Sequence, residues 1–205
     1  MRLVCLDLEG VLVPEIWIAF SQATGISAFR RTTRDEPDYD ALMRFRIGLL
    51  EQHGLGLRDL TRVIALIEPL AGALQFTRSL RARTQLIILS DTYEEFAAPL
   101  MAKLDYPTIF CNSLVATSEG KITGYKLRQQ DGKRAAVAAL KSLNIAVFAA
   151  GDSFNDLAMI READRGCLFR APEAIREAQQ DLPCVDTYTD LLTEIEDFLN
   201  TRRVF

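Results

Sequence analysis

The stretch Leu3-Val4-Cys5-Leu6-Asp7-Leu8-Glu9-Gly10-Val11 decides the fold of this chain. Its four leading apolar residues lack polar alternation, which is typical of a strand buried on both faces in a parallel sheet. Because successive strand side chains point to opposite faces, Asp7 and Glu9 are predicted to share one side. Two neighbouring acids repel each other, which indicates metal or phosphate chemistry. An ordinary acidic loop after the strand is the alternative.

Further apolar runs alternate with segments of helical periodicity. The strongest runs, at 86–89 and 145–150, end at Ser90-Asp91-Thr92 and at Gly151-Asp152, and turn residues within 114–126 predict a small hairpin. Repeated strand–helix units predict an α/β fold with a parallel sheet and helices on both faces. Ligands of such sheets bind at the carboxyl ends of the strands, where these polar residues fall.

One segment, residues 14–69, differs from the rest of the chain. It has no strand-like run, and its apolar residues recur at helical spacing in three places separated by glycines. The sequence therefore predicts a core domain formed by residues 1–13 and 70–205, with a helical domain inserted after the first strand.

The composition predicts a globular protein that binds neither nucleic acid nor a membrane. The chain has 205 residues, 49% of them hydrophobic, and a net charge of −4 without a basic stripe, whereas nucleic-acid binding requires clustered cations. The first apolar run is interrupted by acids and is too short for a signal peptide. No run approaches the ~20 apolar residues of a membrane-spanning helix. The expected location is therefore the cytoplasm.

The cysteines and the single histidine indicate no chemistry of their own. No C-x-x-C pair is present, and the four cysteines are scattered in apolar surroundings, as expected for reduced core residues. His53 is the only histidine, and no G-x-S-x-G motif accompanies it, so a nucleophilic triad is not expected.

Acidic residues after the strongest strand suggest a metal site. The segment Gly151-Asp152-Ser153-Phe154-Asn155-Asp156 offers two carboxylates that, together with Asp7, supply the hard oxygens preferred by Mg²⁺. The alternative is a Gly-Asp turn with an asparagine cap on the following helix.

Two further residues suggest a phosphate site. Ser90 lies at a strand end ahead of a helix, where a hydroxyl and backbone N–H groups suit a phosphate oxygen; a helix N-cap is the alternative. Lys133 lies at a predicted helix start, which is unfavourable for a cation in the field of the helix dipole. An anion nearby would explain it, and an exposed lysine is the alternative.

The order of these motifs resembles a known family. Asp-x-Glu after the first strand, Ser after another, Lys before a helix and Gly-Asp-x-x-Asn-Asp after a later strand are similar to the four motifs of the haloacid dehalogenase (HAD) superfamily. The resemblance covers the whole chain, and the insertion is similar to the cap of the phosphoserine phosphatase branch. It implies a Rossmann-like core with a helical cap and Mg²⁺ as cofactor.

The resemblance also implies roles for the first two motifs. Asp7 would be the nucleophile that forms an aspartyl-phosphate. Glu9 would be the general acid and base, one methylene longer than the usual aspartate, and its backbone carbonyl would bind the metal. Ser90 and Lys133 would hold the phosphoryl oxygens. Asp91 stands where a glycine is common, and its side chain is expected to turn away from the phosphate.

The remaining roles concern the metal and the amino-acid part of a substrate. Asp152 would bind the metal directly, and Asp156 directly or through another group. Glu15 and Arg46 match cap positions that bind the ammonium and carboxylate of the substrate, a pairing that agrees with the charges of an amino acid. The other residues that the resemblance places near the substrate are Asp91, Thr92 and Asn155.

The leading hypothesis is a Mg²⁺-dependent enzyme that transfers the phosphoryl group of phosphoserine to water or to another amino acid, such as homoserine. A HAD phosphatase for a different small phosphomonoester is the alternative, and a non-catalytic member of the family a further one. A phospho-receiver signalling module is a rival from another class, but it has no use for a helical insertion. The exposed faces of the inserted helices could pair to form a homodimer.

Overall fold

The computed structural model describes residues 1–32, 35, 36 and 38–201, and these form a seven-stranded sheet with helices on both faces. The spatial order of the strands is β4-β3-β2-β1-β5-β6-β7, and every neighbouring pair is parallel except β3 and β4. The predicted α/β fold and the hairpin are thus confirmed. The strands are β1 (Arg2–Leu6), β2 (Gln85–Tyr93), β3 (Thr108–Ala116), β4 (Ile122–Lys126), β5 (Ala146–Gly151), β6 (Arg165–Phe169) and β7 (Cys184–Val185).

The helices follow the predicted periodicity closely. They are α1 (Ile16–Thr24), α2 (Tyr39–Gln52), α3 (Leu57–Ala65), α4 (Ala73–Arg81), α5 (Glu94–Lys103), α6 (Gly132–Ser142), α7 (Leu157–Glu162), α8 (Glu173–Ala178) and α9 (Tyr188–Asn200), with short 3-10 turns at Ser27–Arg30 and Phe154–Asp156. No helix of the described residues is both long and apolar enough to cross a membrane.

Strand β1 lies at the centre of the sheet and contributes side chains to two apolar cores. Leu3 and Cys5 pack on one face with residues of α6, α7 and α8, while Val4 and Leu6 pack on the other with residues of α4, α5 and α9. All four side chains are buried. The period-2 alternation of a strand explains how one run of four apolar residues serves both faces.

The inserted segment consists of helices and shares a core with one face of the sheet. Trp17 of α1 stacks on Phe29 with ring centroids 5.8 Å apart and meets Phe96 of α5 edge-on at 5.9 Å. Helix α3 also packs on α5, and α2 on β4. The helical character of the insertion is as predicted; a cap domain with boundaries at 14 and 69 stays a prediction.

The order of the strands places the carboxyl ends of β1, β2 and β5 side by side. From β1 the chain builds β2, β3 and β4 on one side and then returns to build β5, β6 and β7 on the other. The crevice beside β1 is therefore a topological switch point, where parallel sheets bind ligands.

Strand β2 is longer than its apolar run predicts. Its pairing with β3 is regular through Leu89, becomes irregular, and resumes where Tyr93 meets Asn112. The polar residues 90–92 lie within this irregular stretch, where the ladder no longer dictates which way their side chains point.

Candidate active site

One cavity at the carboxyl ends of β1, β2 and β5 brings together all the predicted site residues except Asp156. Asp7 follows β1 directly, and its backbone N–H donates to the carbonyl of Ala150 on β5 at 3.0 Å. The cavity holds about 140 Å³, less than the ~300–1,000 Å³ typical of sites for drug-sized ligands. The site therefore suits a small molecule.

Three buried carboxylates form the floor of the site. Asp7, Asp152 and Asp156 each offer an oxygen, and these oxygens all lie within 4.8 Å of one another. Two glycines make this approach possible. A Cβ atom on Gly10 would lie 2.4 Å from Cγ of Asp152, and one on Gly151 would lie 2.3 Å from Cγ of Asp156. Only a residue without a side chain fits at either position.

Lys133 is the buried cation of this cluster. Its Nζ atom lies 2.9 Å from Oδ1 of Asp7 and 2.7 Å from Oδ1 of Asp156, and the side chain is only 5% exposed. Burial alone would lower the pKa of Lys133, but Asp156, Asp7 and Asp91 outweigh it and raise the pKa well above its usual value. The lysine thus stays an ammonium, and the alternative of an exposed lysine is wrong.

One ammonium does not balance the cluster. Three carboxylates and one ammonium give these four side chains a formal net charge of −2. Burial, followed by repulsion from Asp156, raises the pKa of Asp7 well above its usual range despite the attraction of Lys133. Because buried like charges are unfavourable, this floor is suited to a divalent cation.

Asp156 lies behind the cavity wall and organises the loop after β5. Its Oδ2 atom accepts from the backbone N–H of Asp152 at 3.1 Å, from that of Ser153 at 3.0 Å and from the Ser153 hydroxyl at 2.8 Å. Its Oδ1 atom accepts from Lys133. With these hydrogen bonds already made, Asp156 holds Asp152 and Lys133 in place.

Ser90 and Thr92 line the cavity as buried hydroxyl residues. Their exposed fractions are 6% and 4%, and the N–H of Thr92 donates to Oγ of Ser90 at 3.2 Å. Helix α5 begins at Glu94 with Tyr93 as its N-cap residue. Ser90 therefore does not cap that helix, which removes the alternative interpretation of this serine.

Asp91 does not turn away as expected. Its Oδ2 atom lies 3.7 Å from Nζ of Lys133 and accepts from Nδ2 of Asn155 at 3.1 Å. The attraction of the ammonium and the amide hydrogen bond together hold the carboxylate at the cavity. The expected orientation was wrong because these two partners come from distant parts of the chain.

The inserted helices supply the opposite end of the cavity. Arg46 of α2 is buried, with its guanidinium carbon 4.5 Å from the ring centre of Trp17 and Nη2 donating to the carbonyl of Arg31 at 2.9 Å. Among the described residues, its Nε finds no hydrogen-bond partner and no carboxylate forms an ion pair with it. Glu15, at the N-cap position of α1, lines the same cavity.

Glu9 connects the two ends of the site. Its Oε2 atom accepts from the backbone N–H of Ile16 at 2.8 Å, at the start of α1. Burial and then repulsion from Glu15 raise the pKa of Glu9 to about 7, although the Ile16 hydrogen bond and Arg46 act against the rise. The carboxylate therefore contacts the start of α1. The carboxylate lies outside the three-acid cluster, so a metal contact through its backbone carbonyl stays a prediction.

Several residues of the cavity wall escaped the sequence analysis. Two of them could have been found from their positions in the sequence. Trp17 is the only tryptophan and lies close to Glu15, and Tyr93 follows the Ser90 motif. Nothing in the sequence marks Tyr39, whose hydroxyl lies 2.7 Å from that of Tyr93 and donates to the carbonyl of Asp91 at 3.1 Å. The remaining wall residues are Thr32, Ser153 and Phe154.

Comparison with known proteins agrees with this geometry. The profile of the haloacid dehalogenase-like hydrolases matches residues 1–164. Phosphoserine phosphatase ThrH of Pseudomonas aeruginosa is 53% identical over 194 residues, which cover 95% of either chain. A phosphoserine phosphatase of Pseudomonas syringae pv. tomato is 50% identical over 194 residues, covering 95% of this chain and 82% of its own.

A solved structure shows the same fold. It is a phospho-aspartyl intermediate analogue of phosphoserine phosphatase, with a TM-score of 0.76 at 20% identity, and the alignment covers 93% of this chain and 97% of that one. The resemblance inferred from the four motifs is confirmed by the profile and the two relatives. The chain belongs to the haloacid dehalogenase-like hydrolases.

Proposed function

We propose that this protein is a phosphoserine phosphatase that works through an aspartyl-phosphate on Asp7 with Mg²⁺, and that it also transfers the phosphoryl group to homoserine. One observation carries the proposal: a single small cavity joins a buried carboxylate–lysine cluster to a buried arginine that lacks an ion-pair partner among the described residues. The first end suits a metal and a phosphoryl group, and the second suits an amino acid. The names of the two bacterial relatives support the same substrate.

The residues at the floor fit a divalent metal ion. Asp7 and Asp152 would hold it together with the backbone carbonyl of Glu9, and Asp156 would orient Asp152 from behind. These are hard oxygen donors, and the formal charge of −2 on the three acids and Lys133 matches the charge of Mg²⁺. When bound, the ion supplies positive charge against the phosphoryl oxygens.

The first half-reaction uses residues that already face one another. A carboxylate oxygen of Asp7 attacks phosphorus, and the bond from phosphorus to the serine oxygen breaks. Glu9 gives its proton to that leaving oxygen, a role consistent with its pKa of about 7. Lys133 and Ser90, both buried at the cavity wall, hold the phosphoryl oxygens and stabilise the charge that develops on them.

The amino-acid end would position the substrate. A buried cation without an ion-pair partner is unfavourable, and a substrate carboxylate bound by Arg46 would provide that partner. The ammonium group of the substrate would bind Glu15. Trp17 restrains the guanidinium of Arg46 from one side and would keep it directed at the ligand.

The second half-reaction decides between the two activities. Glu9 takes a proton from the acceptor, whose oxygen attacks phosphorus and releases Asp7. Homoserine carries the same ammonium and carboxylate as serine on a side chain one methylene longer, so Arg46 and Glu15 would bind it as they bind serine. Water requires no such contacts. Hydrolysis and transfer would therefore compete for one phosphoenzyme.

A partition assay tests the proposal directly. Purified protein with Mg²⁺ and phosphoserine is expected to release inorganic phosphate, and added homoserine is expected to lower that release while phosphohomoserine appears in the same amount. The Asp7→Asn variant serves as the blank. Release of phosphate that is unaffected by homoserine would leave a phosphatase without the transferase activity. Failure to consume phosphoserine would refute the substrate assignment, and a screen of other small phosphomonoesters would follow.

Magnesium is expected to stabilise the fold through the same cluster. At a concentration 100 times its Kd, a ligand specific for the folded state adds ~2.7 kcal/mol, which corresponds to a rise in Tm of roughly 5–10 °C for a chain of this size. Asp152→Asn is expected to lose most of this rise, whereas Asp181→Asn, an exposed acid paired with Arg161, should keep it. An equal rise in both variants, measured by differential scanning calorimetry, would place the ion elsewhere.

The receiver hypothesis is disfavoured by the insertion. Glu15, Trp17 and Arg46 all come from the inserted helices and all line the catalytic cavity. A receiver module, which has no small substrate, would have no use for these contacts.

A further inference from the structure

The carboxylate of Asp91 is held in place by a ring of side chains at the phosphoryl end of the cavity. Its Oδ2 atom accepts from Asn155, whose Oδ1 atom lies within hydrogen-bonding distance of the Ser153 hydroxyl. That hydroxyl meets Asp156, Asp156 accepts from Lys133, and Lys133 lies 3.7 Å from Oδ2 of Asp91. Because the Ser153 hydroxyl has one proton for its two acceptors, Asn155 and Lys133 fix this carboxylate directly and the other members of the ring act through them.

Neither the fold nor the metal site explains this carboxylate. The side chain of Asp91 is 45% exposed and lies outside the cluster of Asp7, Asp152 and Asp156. Apart from the contacts of its carboxylate, residue 91 is held through its backbone carbonyl, which accepts from Tyr39 at 3.1 Å and from Asn112 at 3.2 Å. A residue without a charge would keep both of these hydrogen bonds.

The carboxylate competes with phosphate for the same cation. A phosphoryl group bound at Asp7 has to approach Lys133 and Ser90, and Asp91 already lies beside the Lys133 ammonium. Two anions on one ammonium repel each other, and the repulsion is strong in a partly buried site. A phosphorylated amino acid has a second attachment at Arg46 and Glu15 that offsets this repulsion. Free phosphate has none.

We propose that Asp91 is a specificity-determining residue that weakens the binding of inorganic phosphate relative to the phosphorylated amino acid, and so favours release of the product. The inference rests on the proposed function, because it assumes that Asp7, Ser90 and Lys133 form the phosphoryl site. It assigns the carboxylate a repulsive role toward the phosphoryl group.

Calorimetric titration with inorganic phosphate in the presence of Mg²⁺ tests this role. We expect Asp91→Asn, which keeps the shape and the hydrogen bond but removes the charge, to lower the Kd for phosphate about tenfold. The KM for phosphoserine should change by a smaller factor. Asp131→Asn is the matched control, because Asp131 carries the same charge on a neighbouring loop, pairs with Arg134 and does not line the catalytic cavity. Its Kd for phosphate should equal that of the unmodified protein.

Other outcomes would overturn the inference. An unchanged Kd in Asp91→Asn would show that the charge has no effect on phosphate. A raised Kd would show that the carboxylate accepts a hydrogen bond from a protonated phosphate oxygen, which is the opposite role. Asp91→Ala provides a second variant if the asparagine fails to fold, and the same lower Kd is expected. A Kd for phosphate that is lowered equally in Asp131→Asn and Asp91→Asn would indicate a general effect of net charge.

The same preparations separate this inference from the proposed function. If phosphate binds but phosphoserine is not consumed, the substrate assignment fails while the role of Asp91 is still decided by the Kd values. If phosphoserine is consumed and Asp91→Asn binds phosphate no more tightly, only the role of Asp91 fails. If no variant binds phosphate at millimolar concentrations, the inference and the phosphoryl site fail together.

Discussion

Asp7→Asn is expected to abolish turnover of phosphoserine and, in the absence of metal, to make the protein more stable. The amide is no nucleophile toward phosphorus, so we expect a loss of activity of at least ~10⁴-fold. The stability effect follows from the charges, because the substitution removes one of three carboxylates whose oxygens lie within 4.8 Å. The raised pKa of Asp7, caused by burial and by Asp156, shows that the fold disfavours its charge.

The expected gain is about 1 kcal/mol in the free energy of unfolding, within the range of ~0.5–2 kcal/mol that single stabilising substitutions commonly give. Oδ1 of the asparagine can still accept from Lys133, so the hydrogen bond at 2.9 Å is kept. Urea titrations with EDTA measure the gain. Asp105→Asn, at an exposed acid that pairs with Arg78, should change neither property, since exposed ion pairs contribute little. A variant that stays active, or that is less stable than the parent without metal, would contradict the account.

Gly10→Ala is expected to disable the proposed metal site through the addition of a single methyl group. The new Cβ would lie 2.4 Å from both Cγ and Oδ2 of Asp152, so the carboxylate has to move away from Asp7. Gly10 also has a φ of +76°, where alanine is strained by about 1–2 kcal/mol. A shift near 1 Å at a reacting group can lower the rate ~100-fold. We therefore expect at least that loss in kcat/KM, together with a weaker affinity for Mg²⁺.

Gly25→Ala is the matched control for this substitution. Gly25 has a similar φ of +71°, but nothing lies within 4 Å of the Cβ that would be added. Both variants should lose a similar amount of stability from backbone strain, and only Gly10→Ala should lose Mg²⁺ binding and activity. Mg²⁺ titrations and phosphatase assays on the two proteins separate backbone strain from the steric effect. Equal activities would show that the Asp152 carboxylate tolerates the methyl group.

Local sequence patterns predicted the elements of the fold well. The closing helix runs from Tyr188 to Asn200 as its apolar spacing indicates, and Gly25 ends α1 in the left-handed conformation. The start and end of a helix depend on residues only a few positions away, and these can be read directly from a single sequence. Strand β7 is limited to Cys184–Val185 because it pairs only with the end of β6. That pairing is a long-range contact.

The chemical groups that meet at the site were predictable from the amino-acid sequence. A central parallel strand brings the residues after it to one edge of the sheet, so the chain order predicts Asp7 beside Ser90 and Asp152. The four motifs also indicated the family. These conclusions follow from the order of strands and helices along the chain, because topology alone brings strand ends together.

How those groups face one another depends on long-range contacts of the folded chain. In the folded chain, Asp91 lies beside Lys133, the Glu9 carboxylate accepts a hydrogen bond from the start of α1, and Arg46 is buried against Trp17. Each of these contacts joins side chains from separate elements and depends on rotamers and on exclusion of water. Sequence spacing carries no information about either, so the division of roles among the charged residues became visible only in the folded chain.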